Sequence, residues 1–346
     1  MPETSVPPPQ ITIVTVVLDA HFGYVRQQIP LIEALNPGVP FKLIVVNNTA
    51  PDFSDLSIDH PNVQIIPGVA PDLSLPEHSR GSYHHAAALN LAVKLVDTPY
   101  LLVLDPDFFV VYRNWITDCI DHMRRRALSL FGAPWNYVWN RKWRYFPCVH
   151  FLLVDMGKID RDQLDFTPAL IEDAARAATP MMEWLRGRGP ILRSRILLES
   201  RRDTGWRLHE RFSRARPRVD DVVQPVIDAK IELRNPRHLT TPRGRWFETI
   251  VPRRWSFLPA PGSYAELDQS PAFKFGPIRT LAPEKFAWRG APFAVHLRGH
   301  MREDLRTDYR PAYKERTATR QLLDGVHGAR SWVEWAFSTA QAEAEG

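Results

Sequence analysis

The chain has 346 residues, of which 44% are hydrophobic and 24% charged, so it can bury a large core and has nothing of the composition of a long disordered chain. The formal net charge of +5 is carried mainly by arginine, 36 Arg against 8 Lys, whose planar fork suits phosphate and carboxylate, though the balance is too mild to imply nucleic acid. Two cysteines, Cys119 and Cys148, exclude a disulfide framework and a four-cysteine zinc site.

The opening Met-Pro-Glu-Thr-Ser-Val-Pro-Pro-Pro-Gln lacks the basic and apolar regions of a secretory signal and reads as a disordered lead over 1–10. The β-branched run Ile11–Leu18 predicts a buried strand. His21–Leu35 has helical spacing, with Val25, Ile29, Ile32 and Leu35 on one face and a stop at Asn36-Pro37-Gly38. Strands follow over Phe41–Val46 and Asn62–Ile66. A helix is expected over Ser82–Val96, leading straight into a strand at Tyr100–Leu104. Strands alternating with helices predict an α/β fold with a mostly parallel sheet.

Beyond residue 115 a helix over Trp115–Leu128 and a strand over Cys148–Val154 are expected. Trp135, Tyr137, Trp139, Trp143 and Tyr145 lie beside Arg141, Lys142 and Arg144, and read either as an acceptor-stacking face or as core aromatics. Arg176–Arg218 holds 12 arginines against four acids, a surface for an anionic acceptor or membrane, or a solvated helix face. Residues 240–292 read as irregular loops, Phe293–Leu297 as a last strand, and 301–346 as a helical extension. No apolar stretch approaches the ~20 residues that cross a bilayer. The expected location is the cytoplasm, with contact to the inner face of the membrane left open.

The chemistry concentrates at Asp105-Pro106-Asp107. These residues end the apolar run Tyr100–Leu104, where open α/β sheets hold their ligands. Side chains two apart on a strand point the same way, so both carboxylates should project together, and Pro106 marks the departure from the sheet. Two carboxylates with no cation between them repel, which favours a hard divalent ion bound by oxygen. A solvated turn is the alternative, since the same residues are good turn formers.

The helix segment Arg80-Gly81-Ser82-Tyr83-His84-His85-Ala86-Ala87-Ala88-Leu89-Asn90, followed by Thr98–Phe109, resembles family 2-like glycosyltransferases of the GT-A fold. Ala88-x-Asn90 and Asp105-x-Asp107 match that family's helix and D-x-D motif, and Val45-Val46-Asn47-Asn48-Thr49 with Asp52 is similar to its second strand. The usual Asn and Gly at the helix start are missing. The resemblance implies a sheet flanked by helices, with residues 11–110 binding a nucleotide-diphosphate sugar and residues 111–300 binding the acceptor. It implies a divalent metal, Mn2+ or Mg2+, held by Asp107 directly, by Asp105 through ribose or water, and by a C-terminal histidine. His296, at the end of Phe293–Leu297, is preferred to His300. It also implies donor contacts from Thr15, Asp19, Asn47 and Arg80, with a surface-loop cap as the alternative for Arg80. Asp203, in Arg202-Asp203-Thr204-Gly205-Trp206, stands where inverting members carry the base that takes the acceptor proton; the alternative is a helix N-cap.

The expected activity is therefore metal-dependent transfer of a sugar to a glycan or lipid-linked acceptor. A nucleotidyltransferase is a second reading, although Leu18-Asp19-Ala20-His21-Phe22-Gly23 lacks a Gly-rich basic phosphate loop. A nucleic-acid-binding module using the aromatic-basic segments is a third, ranked low because it leaves the D-x-D arrangement unexplained.

Overall fold

A computed structural model describes residues 9–18, 21–49, 57–135, 146–171, 202–226 and 284–297, together with Leu267, Ser270, Phe273 and Glu334. Its centre is a seven-stranded sheet built from β1 (Ile11–Val17), β2 (Phe41–Asn47), β3 (Val63–Pro67), β4 (Tyr100–Leu104), β6 (Leu130–Gly132), β7 (Phe151–Asp155) and β8 (Asp220–Val222). The spatial order is β3-β2-β1-β4-β7-β6-β8. The strands run parallel except β7, which is antiparallel to both of its neighbours.

The β-branched runs are buried on both faces, and their alternation divides the core in two. Ile11, Ile13 and Val17 of β1, Leu102 and Leu104 of β4, and Phe151 and Leu153 of β7 face one cluster. Val14 and Val16, Leu101 and Val103, and Leu152 and Val154 face the other. The first cluster takes in helix α1 (Phe22–Leu35) and α3 (Trp115–Arg125); the second takes in α2 (Glu77–Val93) and Leu208 of the short α4 (Trp206–Phe212). The expected α/β architecture, a mostly parallel sheet flanked by helices, is the one the chain adopts.

A second sheet of four strands, in the order β5-β11-β10-β9, is made by β5 (Phe108–Val110), β9 (Gln224–Val226), β10 (Glu284–Trp288) and β11 (Ala291–His296). It packs its apolar side, including Phe108, Phe286, Phe293 and Val295, into the first cluster. Asp105-Pro106-Asp107 joins the two sheets, since β4 belongs to the large one and β5 to the small one. The helix expected at Ser82–Val96 begins five residues earlier, at Glu77, so Arg80, Gly81 and Ser82 lie inside it. Its first turns are polar and carry no apolar stripe to announce them. The expected strand at Cys148 starts three residues later, at Phe151, and the tract read as loops up to 292 contains β10. No helix among the described residues is long and apolar enough to cross a membrane.

Candidate metal centre

The two aspartates converge through a turn rather than by strand alternation. β4 ends at Leu104, and the Phe108 N–H donates to the Asp105 carbonyl at 3.1 Å. Buried Gln28 of α1 clamps this turn, its Nε2 donating to the carbonyls of Asp105 and Phe108 at 2.9 Å each. The turn is not a solvated one: Asp107 is buried, and Asp105 largely so.

Three strand registers bring the remaining donors to this point. β7 runs antiparallel to β4 with Leu104 opposite Phe151, so the residue before β7, His150, faces Asp105, and the Asp105 N–H donates to the His150 carbonyl at 2.9 Å. His150 Nδ1 lies 2.9 Å from Asp105 Oδ2. In the small sheet, His296 of β11 pairs with Phe108 of β5, which sets its Nε2 3.2 Å from Asp107 Oδ1 and 3.9 Å from Asp105 Oδ2. β10 lies on the other side of β11, and Glu284 pairs across from His296 and accepts from its Nδ1 at 2.9 Å.

The electrostatics of His296 follow from these neighbours. Burial alone would lower its pKa, but the Asp107 and Glu284 carboxylates prevail and raise it to about 9. His296 Nε2 and the Asp107 carboxylate form a buried ion pair at 3.2 Å. Two further side chains sense the acids. Burial lowers the pKa of His21, against the pull of Asp107 and Asp105. The Tyr24 hydroxyl is raised well above its ordinary value by burial and by Asp107.

A cation would fit at His296 Nε2, which is buried and faces the carboxylates. With Glu284 holding Nδ1–H, the other nitrogen of His296 points at the carboxylates, the arrangement by which an outer carboxylate presents imidazole to a metal. Asp105, His150 and His296 each bring one ligand atom, and these atoms all lie within 4.8 Å of one another. The donor set suits a divalent ion. His85 of α2, partly exposed, approaches the other oxygen of Asp105 at 4.0 Å.

The other residues singled out in the sequence fall around this centre at different removes. Asn47 ends β2, and its side chain accepts the Thr49 N–H at 2.9 Å. Thr15 is fully buried within β1. The Arg80 guanidinium donates to the carbonyls of Leu73 and Leu75 at 3.2 and 3.1 Å, which ties down the segment before α2. Asp203 accepts the Thr204 N–H at 2.9 Å and does not cap α4, whose N-cap is Gly205 at φ 84°. The Thr204 hydroxyl donates to the Ser82 carbonyl at 3.1 Å, holding the Asp203 turn against α2 on the side that carries His85. Arg202 is buried, with its guanidinium 5.2 Å above the Trp206 ring. Asp19, Asp52, His300, Tyr137, Trp139, Trp143, Tyr145, the arginines from 176 to 201 and nearly all of 301–346 lie outside the described residues. Trp135 is a core residue, packed edge-on against His150 at 4.4 Å.

His150, Glu284 and Gln28 were not foreseen from sequence. Gln28 and His150 meet the Asp105 turn from distant parts of the chain and Glu284 meets His296 across a hairpin, and only His150, directly ahead of a buried apolar run, carries a local signal.

No known family profile matches the chain, and no curated protein sequence does either. Solved structures with similar coordinates include galactosyltransferase LgtC in complex with donor and acceptor sugar analogs, at 16% identity and a TM-score of 0.37, covering 72% of this chain and 84% of that one. TarS of S. aureus in complex with UDP is similar at 10% identity and a TM-score of 0.32, covering 46% of this chain and 50% of that one. The glycosyltransferase GlyE of Streptococcus pneumoniae TIGR4 is similar at 11% identity and a TM-score of 0.40, covering 96% and 64%. These likenesses are distant.

Proposed function

We propose that the chain is a metal-dependent glycosyltransferase that moves a sugar from a nucleotide-diphosphate sugar to a glycan or lipid-linked acceptor, with inversion at the sugar carbon. The observation that carries this reading is the convergence of Asp105, Asp107 and His296 at the C-terminal end of β4, with Glu284 behind the imidazole. A sugar transferase must neutralise a departing diphosphate, and a divalent ion held there would supply the Lewis acid for it.

The chain's own residues divide the remaining work. Asp107 and His296 would hold the ion, with Asp105 beside them, and Gln28 keeps the turn from relaxing when the two charges meet. The donor nucleotide would lie along the ends of β1 and β2, where Asn47 sits and where Asp19 belongs by sequence. Thr15 would support that edge from beneath, because its side chain is buried. Arg80 would act through the segment it ties to α2. Asp203 would take the proton of the acceptor hydroxyl as that oxygen bonds to the sugar carbon and the bond to the diphosphate breaks. Its turn is anchored to α2 through Thr204 and Ser82, which gives such a base a fixed approach.

Asp107→Asn should abolish transfer, and EDTA should do so reversibly. Asp203→Asn should lower turnover about 100-fold or more while nucleoside diphosphate binding stays within a few-fold of wild type. Sugar transfer that survives both Asp107→Asn and chelation would refute the metal reading. Lost nucleotide binding in Asp203→Asn would make that residue structural.

A further inference from the structure

We propose that His150 is itself a ligand of the cation beside His296, Asp105 and Asp107, so that two imidazoles face the ion and select a transition-metal ion over Mg2+. The inference rests on the cation-binding part of the proposed function and not on sugar transfer.

The distances carry it. Two donor atoms each about 2.1 Å from one ion are roughly 3.0 Å apart at right angles and roughly 4.2 Å apart on opposite sides. His150 Nδ1 and Asp105 Oδ2 are 2.9 Å apart, and Asp105 Oδ2 and His296 Nε2 are 3.9 Å apart. Both separations fall in the range that a shared ion sets; the first is a hydrogen bond in the metal-free protein, whose proton an ion would displace. Asp105 Oδ2 is the common neighbour, and the two rings lean together with centroids 4.5 Å apart at 37°. The placement is also rigid: His150 is 1% exposed, its carbonyl accepts from the Asp105 N–H, and the edge of Trp135 packs against its ring. A buried ring locked beside a carboxylate and a second imidazole has little freedom to avoid an ion placed there.

The chemistry follows from the donors. Mg2+ takes oxygen ligands and keeps several waters, whereas imidazole suits zinc, copper, iron and nickel. With His296 alone the site would be mostly oxygen. With His150 added, nitrogen supplies half or more of the protein ligands, and Mg2+ loses the competition.

The experiment uses the full chain, stripped of metal, and the ions Co2+, Mn2+ and Mg2+ alone, with no sugar donor. Calorimetric titration should give tighter binding of Co2+ than of Mg2+ in wild type, and His150→Asn should weaken Co2+ binding about 100-fold or more, since losing even an outer-sphere partner costs 10–100-fold. Pulsed EPR of the Mn2+-loaded wild type should detect two imidazole nitrogens, and His296→Gln should detect one. The EPR count does not depend on whether His150→Asn folds. A single imidazole in wild type, or unchanged Co2+ affinity in a folded His150→Asn, overturns this inference and leaves the proposed function standing. Wild type that binds none of the three ions overturns the cation part of both.

Discussion

His296 is fully buried between two carboxylates, and burial and charge act on it in opposite directions. The acids prevail and hold its pKa at about 9, above the 6.5 of a free imidazole. A folded pKa above the unfolded one means that the imidazolium stabilises the metal-free fold below pH 6.5, and that this contribution is lost as the pH rises through 9. Each pH unit of such linkage is worth about 1.4 kcal/mol, or a few degrees in Tm. Metal-free protein should therefore melt several degrees lower at pH 9 than at pH 6.5, and His296→Gln should show a flatter profile by scanning calorimetry. Equal slopes in the two proteins would mean that the proton is not held there. An arriving cation takes the place of that proton, so a metal-loaded sample should lose most of the slope as well. Asp105 and Asp107 were visible in the sequence because their spacing and their position after a buried run are local properties. Glu284, twelve residues before His296 in a stretch rich in Pro and Gly, was not, because its role depends on a cross-strand pair.

At the scale of elements, long β-branched runs announced themselves and three-residue strands did not. β1, β2 and β4 are within a residue of their expected bounds, since burial on both faces makes them continuous apolar runs. β5, β6, β8 and β9 are three residues each, too short for a period-2 pattern to register. One of them sets the spacing at the site. Gly132 of β6 pairs with Leu152 of β7, and a Cβ at that position would sit 2.0 Å from the Phe151 carbonyl oxygen, which already accepts the Ala133 N–H. Gly132→Ala should cost about 1–3 kcal/mol by pushing β6 off β7, read as a lower urea midpoint. Because Phe151 follows His150, the same variant should also weaken cation binding. An unchanged midpoint would show that the strands can part without cost.

At the scale of the whole molecule, the candidate metal centre joins two sheets. Asp105 and His150 come from the end of β4 and the start of β7 in the large sheet, and His296 from the small sheet, whose apolar side packs into the first cluster. A ligand that binds only the folded state stabilises it by RT ln(1 + [L]/Kd), about 2.7 kcal/mol at a hundredfold excess over Kd. Added Mn2+ should raise Tm by several degrees, EDTA should reverse this, and Asp107→Asn should show less of the gain in a thermal-shift assay. No shift in wild type would separate the two sheets from any shared ion.

The sequence by itself determined the α/β class, the buried strands, the paired acids at the end of β4 and a histidine worth testing against them. These all depend on residues that are neighbours along the chain, where pattern and spacing act directly. Only the tertiary structure decided that the acids meet through a clamped turn, that His150 faces Asp105 and that Glu284 stands behind His296. Those facts follow from an antiparallel strand among parallel ones and from the register of a second sheet, set by hydrogen bonds between strands rather than by spacing along one strand.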